Sequence, residues 1–245
     1  PSSPLPSIHR MLLFRSTSIR LLLAALSLVS ISHAQPEPAL SASISGLALD
    51  AQINDLKILS KGETLDIDLY TTTRSRRLKY SGPEQLTFFR ESETLTPEGE
   101  PIRTPVGQVT LDGLHPRYLL MFAKQAGDTE RYSIFAIPDT TEHFKAGTYR
   151  FLNLAPFKVA LKIGETKHLL AEKKITDVSG DFEHGNYYQT MMLSLPEGEA
   201  EPVPAYSGRI YFNKHMRMLY IIRPKEGGKA GKIKFTGIPD RVTSN

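Results

Sequence analysis

Arg117–Asp139 reads RYLLMFAKQAGDTERYSIFAIPD, and Arg217–Asp240 reads RMLYIIRPKEGGKAGKIKFTGIPD. Each stretch begins with Arg, runs through an apolar segment, turns in a basic loop containing Gly, alternates back and closes on Ile-Pro-Asp. The offset is 100 residues at the Arg (117 to 217) and 101 at the Asp (139 to 240). Upstream, Leu56-Lys57-Ile58 followed by Lys61-Gly62-Glu63-Thr64 matches Phe157-Lys158-Val159 followed by Gly164-Glu165-Thr166 at nearly the same offset. Tyr80-Ser81-Gly82 finds a further counterpart in Tyr206-Ser207-Gly208, at an offset of 126 (80 to 206). Segments recurring in one order, all but the last at one spacing, predict an internal duplication, which reorganises any reading of the fold.

The repeated unit is built of strands. Thr64–Tyr70 (TLDIDLY) alternates strictly, with Leu65, Ile67 and Leu69 on one face and Asp66, Asp68 and Tyr70 on the other. A period of two marks a half-buried strand. Similar short runs recur along the chain, broken by Gly, Pro, Asp and Asn, and no dozen-residue segment carries a helical stripe. The expected fold is all-β: two tandem, related Ig-like β-sandwich modules, with one larger sandwich as the alternative. About a hundred residues suits one such module. The expected divisions are a linker over 35–43, module 1 over 44–139, a linker over 140–146, module 2 over 147–240 and a tail over 241–245. Glu91–Pro105 and Pro196–Pro204 are acidic, Pro-rich and poor in apolar residues, so both read as surface loops.

Residues 1–34 read as an upstream extension plus an export signal. Met11–Ala34 has Arg15 and Arg20, a short apolar run from Leu21 to Val29, and Ser32-His33-Ala34 before Gln35. That order is the secretory pattern, with an apolar run too short for a comfortable membrane span. The chain is therefore expected to be exported: periplasmic, associated with the cell envelope or secreted. The whole sequence has 30 Lys and Arg against 26 Asp and Glu. Residues 1–34 contribute Arg10, Arg15 and Arg20 and no acid, which leaves 27 bases against 26 acids beyond them. Bulk attraction to nucleic acid loses its basis with those three arginines. The sequence has no Cys, so disulfides, thiolate zinc sites, a Cys nucleophile and a lipidated N-terminal Cys are all excluded.

Candidate chemistry is sparse. No GxSxG, SxxK, GxGxxG or Walker loop is present, and no cofactor is expected. The densest hard-ligand set is Asp181, Glu183 and His184, in a Gly-containing loop that could hold a metal ion. Positive charge concentrates over 209–241, where Arg209, Arg217, Arg223, Lys229 and Lys232 are candidates for a basic binding face. Its expected partner is an anionic envelope polymer or an envelope protein, not nucleic acid. Carbohydrate binding calls for exposed aromatic rings. Tyr187 and Tyr188 are adjacent, so a strand would send them to opposite faces.

The run Gly147–Pro156 (GTYRFLNLAP) follows Ile137-Pro138-Asp139 and stands with Leu86–Arg90 (LTFFR) and Ile238-Pro239-Asp240. In these motifs the chain resembles exported proteins of planctomycete and verrucomicrobial type over most of residues 44–240. The resemblance implies a secreted β-rich protein and brings no functional residue with it. Two function classes follow: a non-catalytic binding or scaffold protein of the bacterial envelope, or a secreted metal-dependent hydrolase or carbohydrate-binding module.

Overall fold

A computed structural model describes residues 39–242. The expected export signal lies outside the described residues. Sixteen strands and no helix make up this part of the chain. The first eight are β1 (Leu40–Ala48), β2 (Ile53–Ser60), β3 (Glu63–Leu69), β4 (Leu78–Gly82), β5 (Gln85–Leu95), β6 (Pro101–Thr110), β7 (Arg117–Gln125) and β8 (Asp128–Pro138). The second eight are β9 (Tyr149–Asn153), β10 (Lys158–Ile163), β11 (Thr166–Leu170), β12 (Lys174–Val178), β13 (Tyr187–Leu195), β14 (Val203–Tyr211), β15 (Met216–Pro224) and β16 (Ile233–Arg241).

They form four four-stranded sheets: A (β4-β1-β7-β8), B (β3-β2-β5-β6), C (β12-β9-β15-β16) and D (β11-β10-β13-β14). Adding eight to each strand number converts sheet A into C and sheet B into D. Even the parallel pairing of β1 with β7 recurs, between β9 and β15. The chain is thus two tandem β-sandwich modules of one topology, A on B and C on D.

Each module has its own core. Phe88, Ile58 and Leu69 of sheet B meet Phe122, Ile44 and Tyr118 of sheet A. Val159, Leu161 and Met192 of sheet D meet Phe151, Tyr220 and Ile222 of sheet C. A third apolar cluster joins the modules back to back: Leu47, Leu119 and Met121 from the outer face of sheet A pack with Leu152, Leu219 and Ile221 from that of sheet C. The layers therefore run B, A, C, D. This explains why β7 and β15 read as unbroken apolar runs while β3 alternates, since a strand covered on both faces needs apolar side chains on both.

A buried charge cluster closes one side of the A–C interface. Arg217 on β15 is 2% exposed and bridges both Asp residues of the repeated Ile-Pro-Asp motif. Its Nη2 lies 2.6 Å from Asp240 Oδ2 and 3.1 Å from Asp139 Oδ2, and its Nη1 donates to the Phe144 carbonyl at 3.1 Å. Arg74, from the β3–β4 connection, contacts both carboxylates as well. Arg150 on β9 holds Asp177 through Nε at 2.6 Å and donates to the His143 carbonyl at 2.5 Å. The Phe144 ring lies between the Arg150 and Arg217 guanidiniums, 4.4 and 4.9 Å from its centroid. The connection between the modules is thus clamped by cation–π contacts and hydrogen bonds to its carbonyls. On the same interface, Arg223 Nη1 reaches Asp50 Oδ1 at 2.5 Å across the modules. That pair is partly solvated, so Arg223→Gln is expected to lower the unfolding free energy by only about 1 kcal/mol or less, as read by urea titration.

Three expectations change. β1 begins at Leu40, inside the segment expected as a linker over 35–43; its Ser, Ala and Gly residues are weak strand formers, and burial between sheet B and module 2 decides their conformation. Glu91–Pro105 is not a loop: β5 and β6 extend through it as a hairpin arm that turns over Thr96–Glu100, where Thr96 N donates to Glu100 O at 2.7 Å. Pro101 and Pro105 are tolerated because β6 is an edge strand. Tyr80-Ser81-Gly82 lies on β4 of sheet A and Tyr206-Ser207-Gly208 on β14 of sheet D, so that likeness is not part of the duplication. The two share a local device, a tyrosine ring folded over the glycine two residues on, where a Cβ would collide with it.

Candidate functional site

Sheets B and D are the outer layers, and the duplication makes them equivalent. Their outward faces differ. On sheet B the charges pair among themselves. Lys57 Nζ lies 2.6 Å from Asp66 and 3.6 Å from Glu91, and Arg103 Nε lies 3.1 Å from Glu91. The hydrogen bond to Asp66, assisted by the charges of Asp66 and Glu91, holds the Lys57 pKa above the usual lysine value. The aromatic ring on this face, Phe89, is 4% exposed, with the Arg103 guanidinium 5.1 Å from its centroid. Lys57 and Arg103 are thus both engaged by carboxylates.

On sheet D, β13 turns Tyr188, Thr190, Met192 and Ser194 inward, which sends Tyr187, Gln189, Met191 and Leu193 outward. Pairing with β14 sets Tyr187 opposite Tyr211 and Gln189 opposite Arg209; pairing with β10 and β11 sets Met191 beside Lys162 and Lys162 beside Lys167. Tyr187 is 64% exposed and Tyr211 40%, with ring centroids 5.1 Å apart and ring planes at 51°. The Arg209 guanidinium stands 5.8 Å from the Tyr187 centroid. Met191 and Leu169 are also exposed. Lys158, Lys162, Lys167 and Arg209 give the face four positive charges; on this sheet Glu165 pairs with Lys162 at 3.1 Å. The outer face of sheet D thus carries an exposed tyrosine pair and four basic side chains, where its repeat counterpart pairs its cations with carboxylates and exposes the single ring of Tyr70 at its margin.

The residues singled out in the sequence fare differently. The basic set does not form one face. Arg209 lies on the outer face of sheet D. Arg217 is a buried interface residue, because its position on β15 points toward module 1. Arg223 is engaged with Asp50. Lys229 is exposed in the β15–β16 turn, and Lys232 Nζ donates to the Pro204 carbonyl at 2.8 Å. Counting charge along the chain could not distinguish these, because β14 belongs to sheet D and β15 to the interface sheet.

Asp181, Glu183 and His184 do not assemble a metal site. Glu183 accepts from Asn186 Nδ2 at 2.7 Å, His184 packs edge-on against His215 at 5.6 Å, and Asp181 is exposed. Among the described residues no three His, Asp or Glu side chains form a group that could hold a metal ion. Their hydrogen bonds are those of a turn. Asp66 is taken up by Lys57, and Asp68 accepts from the Asp55 N–H at 3.3 Å.

Sequence reasoning did not pair Tyr211 with Tyr187. The adjacent Tyr187 and Tyr188 do point to opposite sides, but the partner ring for Tyr187 comes from the next strand, 24 residues on (187 to 211). The β13–β14 hairpin register was the signal that would have found it.

No protein-family model matches the chain, and no curated protein matches it. Among solved structures it is similar to a candidate cell adhesion protein from Bacteroides uniformis ATCC 8492, at 12% identity over 85% of this chain and 100% of that one, with a TM-score of 0.22. A likeness at that level adds nothing to the geometry of the face. Among the described residues, no helix is long and apolar enough to cross a membrane.

Proposed function

We propose that the chain is an exported, non-catalytic binding protein of the bacterial envelope, and that the outer face of sheet D is its contact surface for an anionic envelope polymer. The observation that carries this reading is the contrast between two equivalent faces. Duplication supplied the same scaffold twice; one outer face engages its cations with carboxylates, and the other leaves a tyrosine pair with Arg209 beside it open to solvent. An exposed Tyr pair beside Arg is the composition of a recognition surface rather than of an ordinary solvated one. The back-to-back interface supports the reading mechanically, because it buries sheets A and C and leaves sheets B and D outermost. The reading requires neither cofactor nor metal.

Co-sedimentation of the purified chain with isolated bacterial envelopes tests it. Retention is expected at low ionic strength and is expected to fall as salt rises, since exposed charges are screened over about 10 Å at 0.1 M. Tyr187→Ser with Tyr211→Ser should abolish most of the retention, while Lys57→Gln on sheet B should leave it intact. Equal retention of both variants would overturn the assignment to sheet D.

A further inference from the structure

The geometry points to a carboxylated polysaccharide as the ligand of the outer face of sheet D, an inference that rests on the binding role proposed above. The backbone of β10 and β13 is hydrogen-bonded on both sides within the sheet. The free backbone edges of sheet D are those of β11 and β14, at its sides, so on the face between them recognition comes from side chains. These are of two kinds in fixed order.

At one end stand the rings of Tyr187 and Tyr211, opposite each other across β13 and β14. One step along the strands come Gln189 and Arg209, and a second step brings Met191 and Lys162. Same-face residues repeat about every 7 Å along a strand, so the backbones of Arg209 and Lys162 lie one and two such steps from the ring pair, and Arg209 reaches back to bring its guanidinium 5.8 Å from the Tyr187 centroid. An aromatic ring has a negative face and attracts the C–H-bearing face of a pyranose. Arg209, which stands over Tyr187, presents a fork matched to a carboxylate. Further along, Lys167 on β11, beside the Glu165-paired Lys162, adds a point charge, and the Gln189 amide can exchange hydrogen bonds with sugar hydroxyls. A polymer whose every unit has an apolar C–H face and a carboxylate meets both kinds of group at once. A polyanion without rings uses only the cations, and a neutral glycan only the tyrosines.

The test uses the full chain and three probes in affinity electrophoresis and titration calorimetry at low salt: polygalacturonate, its methyl-esterified form and poly-L-glutamate. Polygalacturonate is expected to bind at least tenfold more tightly than either of the others. Tyr187→Ala with Tyr211→Ala should weaken it about tenfold or more, and Arg209→Gln severalfold, with melting temperatures unchanged because all three side chains are exposed. Lys57→Gln should have no effect. Poly-L-glutamate binding as tightly as polygalacturonate would overturn the role of the rings, and equal binding of the methyl ester would overturn the role of the carboxylate. If no probe binds while envelopes still retain the wild type and not the tyrosine variant, the glycan inference fails and the face assignment survives. If neither probes nor envelopes distinguish the variants, both fail.

Discussion

Arg217→Met is expected to lower the unfolding free energy by about 3–5 kcal/mol, the usual consequence of removing one partner from a buried ion pair. Arg217 is 2% exposed, and Asp139 is also buried. The substitution keeps much of the side-chain volume and takes away the cation. Two carboxylates then face one another with only Arg74 between them, and the carbonyls of Asp139 and Phe144 lose their donor. Phe144 also loses one of the two guanidiniums that bracket it. Because these groups join module 1, the connection and module 2, the damage should fall on the interface. Urea unfolding, expected as a single transition in the wild type, should broaden or separate into two as the modules uncouple. Adding Asp240→Asn to Arg217→Met leaves Arg74 and Asp139 as a matched pair and should recover a large part of the loss, since the harm comes from leaving charges unpaired rather than from losing the network as such. Lys229→Met, on the exposed turn, should change nothing measurable. A loss below about 1 kcal/mol for Arg217→Met would mean that its charge is solvated, as at the surface position the sequence implied.

Arg217 also shows how far the sequence could be read. The duplication was legible because it preserves residue types in order: Arg at the start of β7 and β15, Ile-Pro-Asp at the ends of β8 and β16. The strands with clear period two, such as β3 and β13, were legible for the same reason that they are half-buried. A second cue was available in the unbroken apolar runs Tyr118–Ala123 and Met218–Ile222, which in an otherwise alternating protein indicate strands covered on both faces. Taken with Arg217 and Asp240 at the ends of that same hairpin, those runs place the Arg at an interface rather than on a basic surface. What could not be read was anything set by cross-strand register or by the packing of one sheet on another. Strands β4, β11 and β12, five residues each, are too short to establish a period. The Tyr187–Tyr211 pair and the meeting of Asp139 with Asp240 join residues far apart in sequence. The resemblance motif was legible as residues and opaque as a purpose, which the structure supplies: Gly147 takes a positive φ of 71°, Tyr149 and Phe151 enter the module 2 core, and Arg150 clamps the connection.

The last polar residue of that motif carries the second large effect. Asn153, at the end of β9, is 0% exposed. Its Nδ2 donates toward the carbonyls of Phe157, Leu170 and Ala171 at 2.9, 3.3 and 3.2 Å, and its Oδ1 accepts from Ala155 N–H at 3.0 Å. One amide therefore satisfies backbone groups at the corner where the chain leaves sheet C for β10, and at the end of β11 in sheet D. Asn153→Ala removes those four hydrogen bonds, at about 1 kcal/mol each, so a total loss of roughly 4 kcal/mol is expected in urea titration. Asn153→Asp separates hydrogen bonding from volume. The introduced carboxylate would face three carbonyl oxygens in an apolar site, so its folded-state pKa must rise above the unfolded value of about 3.9. A raised pKa means that the folded state binds the proton more tightly. Stability is therefore greatest below the unfolded pKa and is lost as pH climbs through the raised folded value. Asn153→Asp should accordingly be least stable at neutral pH and regain part of the difference from wild type toward pH 4. A pH-independent difference would show that the site admits water, and the hydrogen-bonded corner would then not be what holds β9 to the second half of its module.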